Sequence, residues 1–177
     1  MTFWTPAYGG HTPNTEYPRS ELRQRCNPSS DDYNWKIADR NTMKATLRAD
    51  KNVTAEKTVV LQIHSYNGPP LIKVEWTSKG DLYALYKKNH AGDDAPKVLL
   101  GKVGNDKFDF EINVDAGILE TYLNGNRTLQ VDVSSYWSDY TNFFKAGNYL
   151  QSNTGDQYSI IHFYALAITN TGNCAKD

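Results

Sequence analysis

Three short stretches of this 177-residue chain place polar side chains at every second position. In RSELR (19–23), Arg19, Glu21 and Arg23 alternate with Ser20 and Leu22. In VVLQIHS (59–65), Gln62 and His64 alternate with Leu61 and Ile63. In FFKAGNYLQ (143–151), Phe143, Lys145, Gly147, Tyr149 and Gln151 fall on one parity. Successive side chains of an extended strand point to opposite faces. If the three stretches are strands, each therefore presents its polar groups on one side. Together they offer guanidinium, carboxylate, amide, imidazole, ammonium and phenol groups. Such a set can grip an anionic ligand through its cations and pass a proton through imidazole or phenol.

Taken singly, each stretch has a plainer reading. The Arg-Glu-Arg row fits a cross-strand ion-pair ladder of small energetic value. A lone strand histidine is more often structural, and a strand tyrosine is usually packing with its hydroxyl at the rim. His162, flanked by Ile161 and Phe163, reads as structural. His11 and His90 fall in loops without the spacing of metal ligands, so no metal site is expected.

Alternation of apolar and polar residues runs through the rest of the chain. FDFEINV sets Phe108, Phe110, Ile112 and Val114 against Asp109, Glu111 and Asn113. TMKATLRA, LIKVEW and DLYALYK read as further strands, and ILETYLNGNRTLQVDV as a hairpin about its NGN turn. YSIIHFYALAIT is apolar on both faces and predicts a central, buried strand. Only VSSYWSDYTNFF suggests a short helical turn. The expected fold is all-β: a jelly-roll sandwich of two antiparallel sheets with one face left as a concave groove, in a single domain spanning 1–177.

Composition limits the partners. Hydrophobic residues make up 39% and charged residues 22%, and the formal net charge is −1. Nothing global calls for a nucleic-acid or membrane partner, and no apolar run approaches the ~20 residues that span a bilayer. Charge-driven recognition must therefore be local. Cys26 and Cys174 fit either two free thiols or a disulfide closing a very long loop. The bridge is the expectation carried forward, since Cys26 closely follows the first polar stretch and Cys174 the last strand. It suits an oxidising, extracellular setting with any leader removed.

In order, the three stretches resemble the three sequence blocks of alginate lyases of polysaccharide lyase family 7: an R-[TS]-E-L-R block, a Q-[IV]-H block and a Y-F-K-A-G-x-Y-x-Q block. The lead-in FWTPAYGGHTPNTEYP and the late HFYALAIT are also similar to that family. Phe143 stands where the first Tyr of the third block is usual, and Leu150 where Asn is common. Members usually carry more residues before the first block, so one or two early strands are expected to be missing or rearranged.

The resemblance implies β-elimination on alginate, a polymer with one carboxylate per sugar. A base removes the proton at C5, the C4–O bond breaks and a C4=C5 double bond forms. Arg19 and Gln62 are the expected donors to the carboxylate, His64 the base and Tyr149 the acid. Glu21, Arg23, Lys145 and Gln151 are the expected substrate-binding residues. A phenol ordinarily titrates near pH ~10, so cations beside it help it to cycle. No cofactor or metal is implied, and a monomer is expected. Ile63 in the QIH block goes, in the resembled family, with acceptance of guluronate. The alternatives are a non-catalytic carbohydrate-binding module for acidic polysaccharide, a lyase acting on another polyuronate, and a glycoside hydrolase. The hydrolase needs two carboxylates flanking the scissile bond, and Asp109 with Glu111 is better explained as a solvent face.

Overall fold

The computed structural model describes residues 1–11 and 15–176, so residues 12–14 of the lead-in lie outside the described residues. Apart from one helical turn, α1 (Ser134–Trp137), the regular structure is β. The first sheet runs in the order β1 (Thr2–Pro6), β13 (Tyr158–Asn170), β4 (Asn41–Ala49), β9 (Phe108–Asp115), β10 (Ile118–Leu123) and β11 (Asn126–Asp132). The second runs β14 (Ala175–Lys176), β3 (Tyr33–Lys36), β12 (Thr141–Leu150), β5 (Lys57–Ser65), β6 (Pro70–Thr77), β7 (Asp81–Tyr86) and β8 (Val98–Lys102), with β2 (Arg19–Arg23) also paired to β12. Every strand pair is antiparallel.

The core lies between the two sheets and follows the alternation of the sequence. Met43, Ala45 and Leu47 of β4 and Phe108, Phe110, Ile112 and Val114 of β9 face Leu61, Ile63, Val74, Trp76 and Phe144 of the second sheet. Burying each large apolar side chain contributes about 1.5–3 kcal/mol. The β10–β11 hairpin turns at Asn124 and Gly125, both with positive φ (48° and 81°), as its NGN signal requires.

Asn148 ties the layers together. It is fully buried, donates to the carbonyls of Phe3 and Ser159, and accepts from the Thr58 hydroxyl. The strand that carries Tyr149 is thereby pinned to the opposite sheet. Cys26 and Cys174 are joined in a disulfide that anchors the C-terminal segment. Closing a loop of 148 residues removes chain entropy worth about 5 kcal/mol in the loop-closure account.

One expectation is corrected. β13 is not buried along its whole length: Tyr164 is 58% exposed, and Ala165, Ala167 and Ile168 are also exposed. β1 pairs only with Tyr158–His162. Beyond that, β13 has one neighbour among the described residues, β4, and a register shift between Phe163 and Ala165 rotates the remainder outward. Its apolar residues reflect an edge, not a centre.

Candidate active site

β12 lies between β2 on one side and β5 on the other, and this placement assembles the three polar stretches. Tyr149 stands opposite Arg19, Gly147 opposite Glu21, and Lys145 opposite Arg23. On the other edge Lys145 faces Gln62 and Phe143 faces His64. Directly opposed residues carry their Cβ atoms ~4.5–5.5 Å apart on one face. A side chain at Gly147 would collide with β2, because a Cβ there would lie 2.4 Å from the Ser20 carbonyl oxygen and 2.7 Å from the Glu21 Cα. The glycine of KAGNY is what lets the Arg-Glu-Arg strand approach.

Glu21 is the hub. Its side chain is only 3% exposed, and it is shared by side chains from three strands. Gln62 Nε2 donates to Oε1, Lys145 Nζ donates to Oε2 at 2.5 Å, and Arg19 Nη1 stands 3.6 Å from Oε2. The row is therefore not a solvent-exposed ladder. Arg19 lies with its guanidinium 3.7 Å from the centre of the Tyr149 ring, and its Nε is buried without a hydrogen-bond partner among the described residues. Arg23 lies 3.9 Å from the centre of the Phe143 ring and donates to the Asp31 carbonyl and to Asn34 Oδ1.

His64 stacks on Phe143 with ring centres 5.5 Å apart. Its Nδ1 sits 2.8 Å from the Ser65 carbonyl. A carbonyl only accepts, so Nδ1 carries the proton, and in the neutral ring Nε2 keeps a free lone pair. Burial holds His64 below the ordinary histidine value, and the Lys145 ammonium adds to this against the opposing Ser65 hydrogen bond. The Tyr149 hydroxyl has no hydrogen-bond partner among the described residues.

A groove of about 720 Å³ opens over this face, lined among others by Thr15, Arg19, Arg23, His64, Tyr66, Phe143 and Lys145. Seven of the eight anticipated residues, Arg19, Glu21, Arg23, Gln62, His64, Lys145 and Tyr149, thus share one sheet face. Gln151 is not brought among them. It lies just beyond the end of β12, and its amide donates to the Tyr149 and Leu150 carbonyls. Sequence reasoning did not single out Asp31 and Asn34, which hold Arg23, or Asn148. Only Asn148 left a signal, a polar residue on the core parity of its strand. On the outer face of the first sheet a second concavity of about 570 Å³ has its charges already matched, Lys44 with Glu111 and the Thr46 hydroxyl with Asp109.

A β-sandwich with cations and proton-transfer groups along an open groove is suited to an anionic ligand. The alginate lyase family model matches residues 1–170. Among solved structures, a Tyr→Phe form of the family 7 alginate lyase A1-II' with product (GGG) superposes with a TM-score of 0.87 at 33% identity, over 97% of this chain and 80% of that one. A form of the same enzyme carrying His→Asn and Tyr→Phe, in complex with substrate (GGMG), gives 0.87 and 33% over 97% and 79%. An alginate lyase from Pseudomonas aeruginosa gives 0.87 and 30% over 96% and 82%. Comparison with curated proteins gave no match. The chain belongs to the alginate lyase family, and it is a polysaccharide lyase.

Proposed function

We propose that this lyase cleaves guluronate-containing and mixed alginate, and mannuronate blocks as well, by β-elimination that needs no metal. The observation that carries this reading is the Glu21-centred array beside an imidazole with a free Nε2. The difficult species is the enolate that forms when C5 loses its proton, with charge spread onto the carboxylate. Donors already fixed in place stabilise such charge best. Glu21 fixes Arg19, Gln62 and Lys145, so they need not reorganise as the charge develops.

His64 takes the C5 proton where H5 and O4 lie on opposite sides, as in guluronate. Tyr149 delivers a proton to the departing O4. In mannuronate H5 and O4 lie on the same side, and Tyr149 serves as both base and acid. The A1-II' forms that hold product and substrate had a Tyr, or a His and a Tyr, replaced, which supports a His and a Tyr as the proton-handling pair here. Arg23 grips a neighbouring carboxylate. The Cys26–Cys174 bridge favours action outside the cell, to be checked by fractionating the native source, and a monomer is expected in a light-scattering measurement.

The test is ultraviolet absorbance of the new C4=C5 double bond on poly-guluronate, poly-mannuronate and a different polyuronate. Chromophore from both alginate blocks and none from the third polymer is the expected result. Binding without chromophore would indicate a carbohydrate-binding module.

A further inference from the structure

The carbonyl that orients His64 belongs to a peptide unit held from several directions. Its oxygen, on Ser65, receives the Nδ1 proton of His64, and its N–H, on Tyr66, donates to the Thr141 carbonyl at 3.0 Å. Ser65 itself is fully buried. Its backbone N–H and its hydroxyl both donate to the Pro69 carbonyl, at 3.2 and 2.9 Å. The hydroxyl hydrogen is thereby committed, and Oγ has only lone pairs left to offer. His90 Nε2 lies 3.2 Å from that oxygen. Nε2 therefore carries the hydrogen of the neutral His90 ring and donates to Ser65.

His90 comes from the β7–β8 connection, which has anchors of its own. Its ring stacks on Tyr140 with centres 3.4 Å apart and meets Trp137 edge-on at 4.8 Å. Trp137 Nε1 donates to the Lys87 carbonyl, and Lys87 Nζ ties the connection together through the Gly92 carbonyl and Asp94. Burial, and then the Lys87 ammonium, hold His90 below the ordinary histidine value, which keeps the ring neutral. The turn after β5 closes directly over the pair. A Cβ at Gly68 would lie 2.3 Å from Ser65 Oγ and 2.6 Å from His90 Nε2, so only glycine fits there.

We infer that Ser65 and His90 are positioning residues for the base: through the Ser65 peptide they hold the His64 ring in its Nδ1–H tautomer, with Nε2 left for the substrate. This rests on His64 acting as the base toward guluronate. A backbone carbonyl has no side chain to vary, so its direction is set by whatever holds its peptide unit. Ser65 stands opposite Asn142 at the end of the β5–β12 register. Beyond it the chain turns, with Asn67 at positive φ (49°), and sheet pairing no longer restrains the peptide on that side. The His90 bond supplies the missing restraint. Without it the carbonyl turns away from Nδ1, the ring samples both tautomers, and Nε2 moves. Neither residue touches the reacting atoms.

Three variants separate the bond from the packing. Ser65→Ala removes the acceptor, His90→Phe keeps the ring stack but removes the donor, and His90→Gln keeps a donor but removes the ring. Ser65→Ala and His90→Phe should each lower kcat on poly-guluronate about tenfold, short of the ~10²-fold of a 1 Å misplacement. KM, and the poly-mannuronate rate that runs through Tyr149, should stay within about twofold, and His90→Gln within about threefold of the wild type. The double variant of Ser65→Ala with His90→Phe should lose no more than Ser65→Ala alone, because both break one bond. Nitrogen–proton NMR of the imidazole rings needs no turnover. It should show His64 as the Nδ1–H tautomer in the wild type and in His90→Gln, and as a mixture in the other two. An unchanged tautomer in Ser65→Ala and His90→Phe overturns the inference. So do equal losses on both blocks, additive losses in the double variant, or a loss in His90→Gln as large as in His90→Phe. His64→Ala on poly-guluronate judges the base reading separately: full activity there removes His64 as the base, while the tautomer measurement still decides whether the pair holds the ring.

Discussion

Glu21 and Glu75 lie on the same sheet face and are equally buried, yet their surroundings differ. Glu21 is shared by Gln62, Lys145 and Arg19 from three different strands. Its two cations are themselves mostly buried, with side chains 12% and 17% exposed. Among the described residues Glu75 serves one partner, Lys97, whose side chain is 39% exposed. A carboxylate shared by three side chains, two by hydrogen bond and one by ion pair, fixes their relative positions, which is what stabilising charge at one substrate atom demands. A single ion pair at the surface fixes one ammonium and leaves it free to follow a ligand. The same residue type in the same sheet thus builds a rigid end and an adaptable end.

The sharpest way to expose that difference is to strike the rigid end at its reacting atom. Tyr149→Phe is expected to lower kcat about 10²–10⁴-fold on every alginate block, with KM and the melting temperature little changed, since the hydroxyl has no hydrogen-bond partner among the described residues. More than about a tenth of the wild-type rate remaining would remove Tyr149 from the role of acid.

Replacing the two glutamates tests the comparison directly. Glu21→Ala leaves Lys145 and Arg19 buried without their anion, which costs about 3–5 kcal/mol of stability, and the donors to the carboxylate lose their positions. In Glu75→Ala, Lys97 can turn into water, and the cost is of order 1 kcal/mol. Chemical denaturation of both variants checks this. Equal losses would mean that sharing among three donors confers nothing special.

His64 gives the next smaller effect, because it bears on one substrate only. His64→Ala should slow cleavage of poly-guluronate far more than that of poly-mannuronate. The pH profile follows from its lowered pKa. A base with a depressed pKa stays neutral to lower pH, so the acidic limb of kcat/KM on poly-guluronate should lie below ~6.5 and vanish in the variant. The same shift has a stability consequence. As pH falls below ~6.5 the unfolded chain takes up the proton first, and stability drops until the folded value is reached. A limb above 6.5 would contradict the buried, neutral imidazole.

Much of this was legible in the sequence, for a definite reason. Strand alternation is local, so the parity of Gln62 against Ile63, or of Phe110 against Asp109, can be read without a partner. The three blocks named Arg19, Arg23, His64, Phe143 and Lys145 of the groove because their side chains share a parity. What could not be read depends on pairing. β13 looks central by composition, and only the five-residue length of β1 leaves its second half exposed. Gln151 continues the parity of Tyr149, but β12 stops at Leu150 and the amide turns back on its own backbone. Asp31 and Asn34 hold Arg23 from a loop and a short strand that carry no periodic signal.

The smallest effect sought lies behind the rigid end. Ile63 is fully buried, points into the core, and sits between Gln62 and His64 on the same strand. It cannot touch a sugar, so any influence on block preference must pass through the strand. Ile63→Val removes one methylene, at a cost of about 0.5–1.5 kcal/mol in stability. If β5 settles into the space, the His64 imidazole moves, and a displacement of ~1 Å at a reacting group can cost ~10²-fold. Glu21 resists that movement by holding Gln62, so the expected shift is far smaller: a few-fold fall in the ratio of poly-guluronate to poly-mannuronate kcat/KM. A double variant separates the two restraints. With Glu21→Gln in place, which keeps a hydrogen-bonding partner but removes the charge, Ile63→Val should shift the ratio further than it does alone. If the ratio is unmoved in both backgrounds, the core side of β5 does not set block preference. If the shift is equal in both, the Glu21 hub does not brace the strand.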